Sequence, residues 1–311
     1  MKFYDLFAGI GGFRLGLEKH GHTCVGSCEI DKYARQIYAK NFGHEPEQSN
    51  ITKINPKDLP DFDILCAGFP CQPWSMASES RDGFKDERGG LFYEIIKIAR
   101  EKQPQILFLE NVKGLLSHQQ GSSFREMLYT LNEIRYDVEW QVLNSKFFLP
   151  QNRERLFIIG HLRGGGRREI LPVGQNSRVD DESYGKTSNN EVGHTGALTA
   201  NYWKGYGAGR PFIAEPKLKL VKNSTDDSYR IYSPEGIART LRSHPGGMGK
   251  MTGAYMMKDF KVRRLTPTEC ERLQGFPDGF TSGVSDTQRY KMLGNAVTVP
   301  VISYISSFFK N

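Results

Sequence analysis

The 311-residue sequence has five cysteines, an odd number, and none of them forms a C-x-x-C pair. Cys24, Cys28, Cys66, Cys71 and Cys270 therefore support neither a disulfide framework nor a zinc spacing, and no metal is expected. A reducing cytoplasm is the simplest setting. No window approaches the roughly 20 apolar residues that a membrane span requires. Lys2 stands ahead of a short apolar run, but Asp5, the glycines from Gly9 to Gly12 and Arg14 break it too early for a signal peptide. Internal repeats and low-complexity tracts are absent. A full G-x-G-x-x-G is missing too: Arg14 stands where the third glycine would be, which counts against a dinucleotide ligand.

What is present describes a globular protein large enough to be stabilised by its own core. The net charge of +7 suits a polyanionic partner such as nucleic acid. In the first half, short apolar runs alternate with helical spacing. Strands fit Phe3 to Phe7, Thr23 to Cys28, Ile64 to Ala67, Ile106 to Leu109, Val138 to Leu143 and Leu156 to Ile159. Helices fit the segment through Leu15 and Leu17 to His20, then Lys32 to Asn41, Leu91 to Arg100 and Phe124 to Ile134. Repeated β-α units of this kind predict an α/β fold with a mostly parallel, doubly wound, Rossmann-like sheet. After about His161 the pattern changes to glycine-rich, irregular sequence, with no clean helical stretch before Pro267. Residues 181–284 hold 15 Lys and Arg against 11 Asp and Glu, more than half the excess charge in a third of the chain. The expected organisation is a catalytic domain of residues 1–180 plus 285–311 and a smaller, loop-rich, mostly β target-recognition domain with hinge at 181–284. The apolar helical stretch Thr298 to Phe309 is expected to pack back on the first domain.

Three constellations carry chemistry. Asp5 to Phe13, D-L-F-A-G-I-G-G-F, sits where the first strand meets a helix, and its glycines let the backbone turn sharply against a ligand. Glu29 follows 20 residues after Gly9, where a carboxylate can accept from both ribose hydroxyls. These features alone leave NAD, FAD and S-adenosylmethionine open. The second constellation, G-F-P-C-Q-P-W-S at Gly68 to Ser75, places Cys71 on a loop beyond the third strand, with Pro70 and Pro73 restricting its backbone. The other cysteines of the first half read as packing residues. The third pairs Glu110-Asn111-Val112 with Gln151-Asn152-Arg153-Glu154-Arg155. Taken apart, Glu110 and Arg155 would pass for a structural ion pair. A thiolate, a carboxyl and an arginine at one sheet edge are also what methylation of cytosine at C5 requires. Thiolate addition to C6 makes C5 enamine-like, while a protonated Glu110 at N3 and Arg155 at O2 offset the developing charge.

With these motifs in view, the chain resembles the bacterial DNA (cytosine-5)-methyltransferase family of restriction-modification type, over nearly its full length. The resemblance runs through Phe7 to Gly12, Gly68 to Ser75, Glu110 to Val112 and Gln151 to Arg155. It continues through Arg264 to Pro277 and Gly294-Asn295-Ala296-Val297. It implies S-adenosylmethionine as methyl donor, with S-adenosylhomocysteine as product. It implies catalytic roles for Cys71, Glu110, Arg153 and Arg155. A cofactor pocket is expected from Phe7, Gly9, Ile10, Gly12, Glu29, Ile30, Asn50, Ile51, Pro70, Leu91 and Asn295. Double-stranded DNA is the expected partner, with the target base flipped into a two-domain clamp and a mobile loop after Cys71 closing over it. Ser75, Arg230, Ser233, Thr240 and Leu241 are expected to face the DNA, and Asp227, Tyr229, Gly246, Gly247 and Gly249 to shape its loops. A monomer is expected. A cognate restriction endonuclease acting independently is compatible with the resemblance, and so is a solitary enzyme.

There are departures from the family pattern. Phe147-Phe148-Leu149-Pro150 replaces Asp-Tyr-Gly-Val/Ile-Pro, and Trp74 stands where Phe is commoner. Asn50 stands where relatives often carry an Asp that binds the adenine amino group. The rival readings are an RNA (tRNA) cytosine-5 methyltransferase on the same scaffold, an NAD-dependent oxidoreductase, and a DNA-binding protein without catalysis. The Thr240-Leu241 pair favours DNA over RNA. An oxidoreductase would leave Cys71, Glu110 and Arg155 unexplained, and the intact set argues against loss of catalysis.

Overall fold

Alternation along the strands dictates the layering. In the computed structural model, which describes residues 1–70, 90–165, 170–171, 220–222, 231–232, 237–241, 254–256 and 262–309, six strands form one sheet in the order β2-β1-β3-β4-β6-β5. They are β1 (Lys2–Leu6), β2 (Thr23–Cys28), β3 (Ile64–Gly68), β4 (Ile106–Val112), β5 (Tyr136–Asn144) and β6 (Glu154–Leu162). One set of alternate residues, including Leu6, Leu65, Leu107 and Ile158, packs against α3 (Leu91–Lys102) and α4 (Ser122–Glu133). The other set, including Phe3, Ile64, Phe108 and Ile159, packs against α1 (Gly12–Glu18) and α7 (Val299–Ser306). Ile64 and Leu65 are wholly buried on opposite faces, each stabilising by about 1.5–3 kcal/mol, so both layers are needed to cover the central strand.

The chain leaves β1 toward β2 on one side and returns to β3 on the other, which places a topological switch point, the usual ligand crevice, at the carboxyl end of β1. The expected parallel sheet holds for β1 to β4, but β6 runs antiparallel to both β4 and β5. That reversal has a consequence for the site: an antiparallel strand brings its first residues to the carboxyl edge of its neighbour, so Arg155 lies opposite Val112. Two boundaries also differ from expectation. Glu110 and Asn111 belong to β4 itself, and Arg155 lies inside β6, because the ladder between these strands continues to their ends.

Local chemistry explains the helix ends. Asp31 caps α2 (Lys32–Phe42) by accepting from the amides of Tyr33 and Ala34, and Gly43 closes it in the left-handed region. Thr266 and Glu269 form a capping box on α5 (Pro267–Gln274), with Pro267 in its first turn and Gly275 at its end. The helix α6 (Asp286–Asn295) was not foreseen; its one apolar stripe is interrupted by Lys291 and Gly294. A third apolar cluster joins Ala34 and Ile37 of α2 to Leu273 of α5, Leu293 of α6 and Leu241. As expected, the C-terminal helix packs on the first layer: Ile302 lies so close to Gly16 that an added Cβ would approach its Cγ2 to 2.5 Å. A second sheet, β10-β9-β8-β7, is made of β7 (Leu220–Lys222), β8 (Ile231–Tyr232), β9 (Ala254–Met256) and β10 (Val262–Arg264), strands as short as the irregular sequence there suggests. No helix among the described residues is long and apolar enough to cross a membrane.

Candidate active site

The turn after β1 is shaped by three residues in the left-handed region, Phe7 at φ 56°, Gly9 at 56° and Gly11 at 88°. Gly tolerates this conformation and Phe does not, so the turn holds Phe7 under local strain. Gly12 then begins α1 where an added Cβ would come within 2.7 Å of Val297, which fixes how closely the helix approaches the C-terminal segment. The carboxylate of Glu29 braces this turn. It accepts from the amide of Gly9 at 2.7 Å and from that of Asp31 at 2.7 Å. Burial nevertheless raises its pKa above the ordinary glutamate value, the two amides only partly offsetting it. Beneath the turn Asp5 is wholly buried, with neither carboxyl oxygen bonded among the described residues. Burial, reinforced by the charge of Glu29, holds it protonated far above the usual range.

Across the crevice, Glu110 and Arg155 meet with Nε to Oε1 at 3.1 Å. Burial pushes the Glu110 carboxyl up, and Arg155 and then Arg153 pull it down; burial prevails. Asn111 turns inward, donating from Nδ2 to the carbonyl of Phe69 at 3.0 Å and accepting the Val112 amide at 2.8 Å. It thereby pins the chain just before Pro70. Arg153 is 1% exposed, and its guanidinium donates to the carbonyls of Leu241, Gly294 and Ala296. Burial, with Arg155 beside it, pulls its pKa down to about 9, still charged at neutral pH.

All these elements open on one cavity of about 770 Å³, a size suited to a small-molecule ligand. Its walls include Phe7, Gly9, Ile10, Gly12, Glu29, Ile30, Pro70 and Asn295 of the expected cofactor set. They also include Glu110, Arg153 and Arg155 of the expected catalytic set, and Thr240 and Leu241 of the expected DNA-facing set. Asn50, Ile51 and Leu91 are not among the lining residues. Asn50 instead caps a short 3₁₀ turn through Oδ1, which accepts from both the amide and the hydroxyl of Thr52 at 3.0 Å, and Ile51 is buried in the core. Thr240 donates its hydroxyl to the carbonyl of Asn152, and the Leu241 side chain is 3% exposed in the third cluster. Cys71, Trp74, Ser75, Asp227, Tyr229, Arg230, Ser233, Gly246, Gly247 and Gly249 lie outside the described residues.

Two further charged wall residues escaped the sequence reading. Lys291 of α6 donates to Asp31 at 2.7 Å, linking the unforeseen helix to the cap of α2. Asp31 carried a signal, a cap residue directly before a helix; Lys291 carried none, because α6 itself was not foreseen. Among the other cysteines, burial first and Glu29 second push Cys28 up to about 12, and burial holds Cys66 well above the ordinary thiol, so both are inert packing residues.

The sheet order and the placement of this cavity at the switch point are those of a Rossmann-like methyltransferase fold. The chain belongs to the C-5 cytosine-specific DNA methylase family, which it matches over residues 1–310. It is 40% identical to the type II methyltransferase M.HhaI of Haemophilus parahaemolyticus, over 98% of this chain and 93% of that protein. It is also 40% identical to the type II methyltransferase M.NlaX of Neisseria lactamica, over 99% and 96%. Among solved structures the fold resembles the S. pombe Dnmt2 methyltransferase, with a TM-score of 0.67, 21% identity and coverage of 99% of this chain and 97% of that one. The family and these relatives make the activity that of a DNA (cytosine-5-)-methyltransferase of restriction-modification type.

Proposed function

We propose that the enzyme transfers a methyl group from S-adenosylmethionine to C5 of a cytosine flipped out of double-stranded DNA, at a specific short sequence, through a covalent Cys71–C6 adduct. One observation carries the reading: a single cavity has a glycine-rich turn with a braced carboxylate on one wall and a buried carboxyl–guanidinium pair on the other.

The first wall suits the cofactor. Glu29, held by two amides at the end of β2, has acceptor capacity left for ribose hydroxyls. Ile30 is 71% exposed beside it, an apolar face for a flat base. Gly12, with no room for a Cβ, marks where backbone rather than side chain forms the wall. When bound, S-adenosylmethionine supplies an electrophilic methyl on a sulfonium.

On the second wall the residues act on the base. Cys71 adds as thiolate to C6. Glu110, whose carboxyl burial pushes toward the protonated form, donates to N3, and Arg155 donates to O2, so the negative charge pushed into the ring meets a donor on each side. Loss of the C5 proton and departure of the Cys71 sulfur restore the ring. Asn111 positions the loop that leads to the nucleophile through its bond to Phe69. Residues 181–284 act as target-recognition domain and hinge; the strands of the short second sheet fall within them, and their Thr240-Leu241 segment lines the cavity. Bringing the base out of the stack costs a few kcal/mol, so a mismatch at the target is bound more tightly than the matched pair.

Duplex DNA carrying 5-fluorocytosine at the target, identified by bisulfite sequencing of plasmid from expressing cells, tests the mechanism. Wild type should form an adduct resistant to denaturant, and Cys71→Ala should form none while still binding cofactor. Methylation by the alanine variant, or absence of the adduct on a methylated sequence, would overturn it.

A further inference from the structure

Among the described residues Arg153 is the largest side chain that is fully buried, and none of their carboxylates hydrogen-bonds to it. A buried cation without a paired anion is costly, and a flexible apolar side chain of similar length would fill the space more cheaply. Its partners are three backbone carbonyls from two distant segments. Nη1 donates to Leu241 at 3.4 Å. Nη2 donates to Gly294 at 3.2 Å and to Ala296 at 2.7 Å, on either side of Asn295. The neighbouring backbone strengthens the first link. The amide of Ala238 donates to Pro150 at 2.7 Å, and that of Asn152 to Ala238 at 2.9 Å. The Thr240 hydroxyl donates to Asn152. The root of the side chain is fixed as well, because the Arg153 amide donates to Asn144 Oδ1 at 3.0 Å. A planar, rigid guanidinium anchored this way cannot follow one carbonyl set without straining its bonds to the other.

We propose that Arg153 is a positioning residue that couples segment 237–241 to segment 294–296, so that target DNA and the cofactor each tighten binding of the other through its guanidinium. This rests on the reading above, in which the first segment faces DNA and the second faces the cofactor. Coupling between two binding equilibria is reciprocal, so one factor describes both directions. Lys in place of Arg keeps the positive charge and with it the fold, but an ammonium cannot span both carbonyl sets, so the link is lost.

The test measures affinity for S-adenosylhomocysteine with and without the methylated target duplex, in wild type, Arg153→Lys and Thr240→Val. In wild type the duplex should tighten S-adenosylhomocysteine by about tenfold or more, and in Arg153→Lys by about twofold or less. Thr240→Val should lower the factor in the wild-type background and have no further effect beside Arg153→Lys, because both changes cut the same path. A purely structural role predicts a lower melting temperature with the coupling factor intact, and that result overturns the proposal. A readout on the unmodified enzyme does not depend on any variant folding. S-adenosylhomocysteine alone should slow hydrogen exchange at the amides of Ala238 and Arg239, which are bonded to Pro150 and Tyr255. Unchanged exchange there overturns the proposal too. An enzyme that methylates the duplex but binds the two ligands independently defeats the coupling alone; one that methylates no DNA defeats the functional reading beneath it.

Discussion

The two walls of the cavity are built on different principles. The wall at the end of β1 is made mainly of backbone: three alternate turn positions with positive φ, amides turned toward one carboxylate, and a glycine with no room for a side chain. The wall at the end of β4 is made of charge: Glu110, Arg155 and Arg153, each mostly or wholly buried, balanced against one another and against carbonyls. Backbone walls distribute their contribution over many amides, so one substitution removes a part. Charged walls in a dry environment concentrate it, because removing one partner leaves the other uncompensated.

The largest effect is therefore expected on the charged wall. Glu110→Ala should lower turnover by about 10² to 10⁴, the range for loss of a positioned acid. It should also cost about 3 kcal/mol of stability by stranding Arg155. Methylation rates and denaturant titration measure the two, and a loss of under fivefold in turnover would show that the charged wall is not where the base is stabilised. Glu110→Gln sharpens the point through pH. The folded-state pKa of Glu110 is raised above 4.5, so the unfolded chain releases this proton first as pH rises. Its contribution to stability is full below the unfolded value and declines as pH climbs through the folded one. The glutamine variant should lack that decline, leaving the difference between the two stability–pH curves confined to that window.

On the backbone wall Glu29→Ala should weaken S-adenosylmethionine by about 1.5–3 kcal/mol in a calorimetric titration. The structure adds that the amides of Gly9 and Asp31 lose their acceptor in the same step, so the turn should also loosen. Unchanged affinity would remove Glu29 from the ribose, and tight NADH binding would revive the oxidoreductase alternative. The smallest effect is expected at Asn50, outside the cavity. Asn50→Ala should cost about 1 kcal/mol of stability as a lost cap and shift cofactor affinity by less than about threefold. A larger shift would mean that this side chain reaches the cofactor after all.

Much of the first half was legible in order. The short, continuous apolar runs located all six strands of the main sheet, because strands buried on both faces have few other ways to be written. Element ends were less legible: Glu110 and Arg155 were placed just outside strands that include them, since a ladder's end depends on its partner's length. Lys291 was missed because α6 is weakly amphipathic and owes its packing to α2 and α5. The packing of the Leu241 side chain in the third core cluster, and the bond from Arg153 to its carbonyl, were not legible, because both partners are distant in sequence.

By itself the sequence determined the residue types of the site, the glycine-rich turn, the Glu29 spacing, the motif around Cys71 and the α/β class, all of which are local patterns within a few turns or strands. Only the tertiary structure decided that β6 runs antiparallel, that this reversal brings Arg155 to within 3.1 Å of Glu110, and that Arg153 faces the carbonyls of 241, 294 and 296 rather than a carboxylate. Strand direction and the choice among buried partners depend on how distant segments share one dry volume. A local pattern records that a charge is present, and only the packing around it determines which group satisfies it.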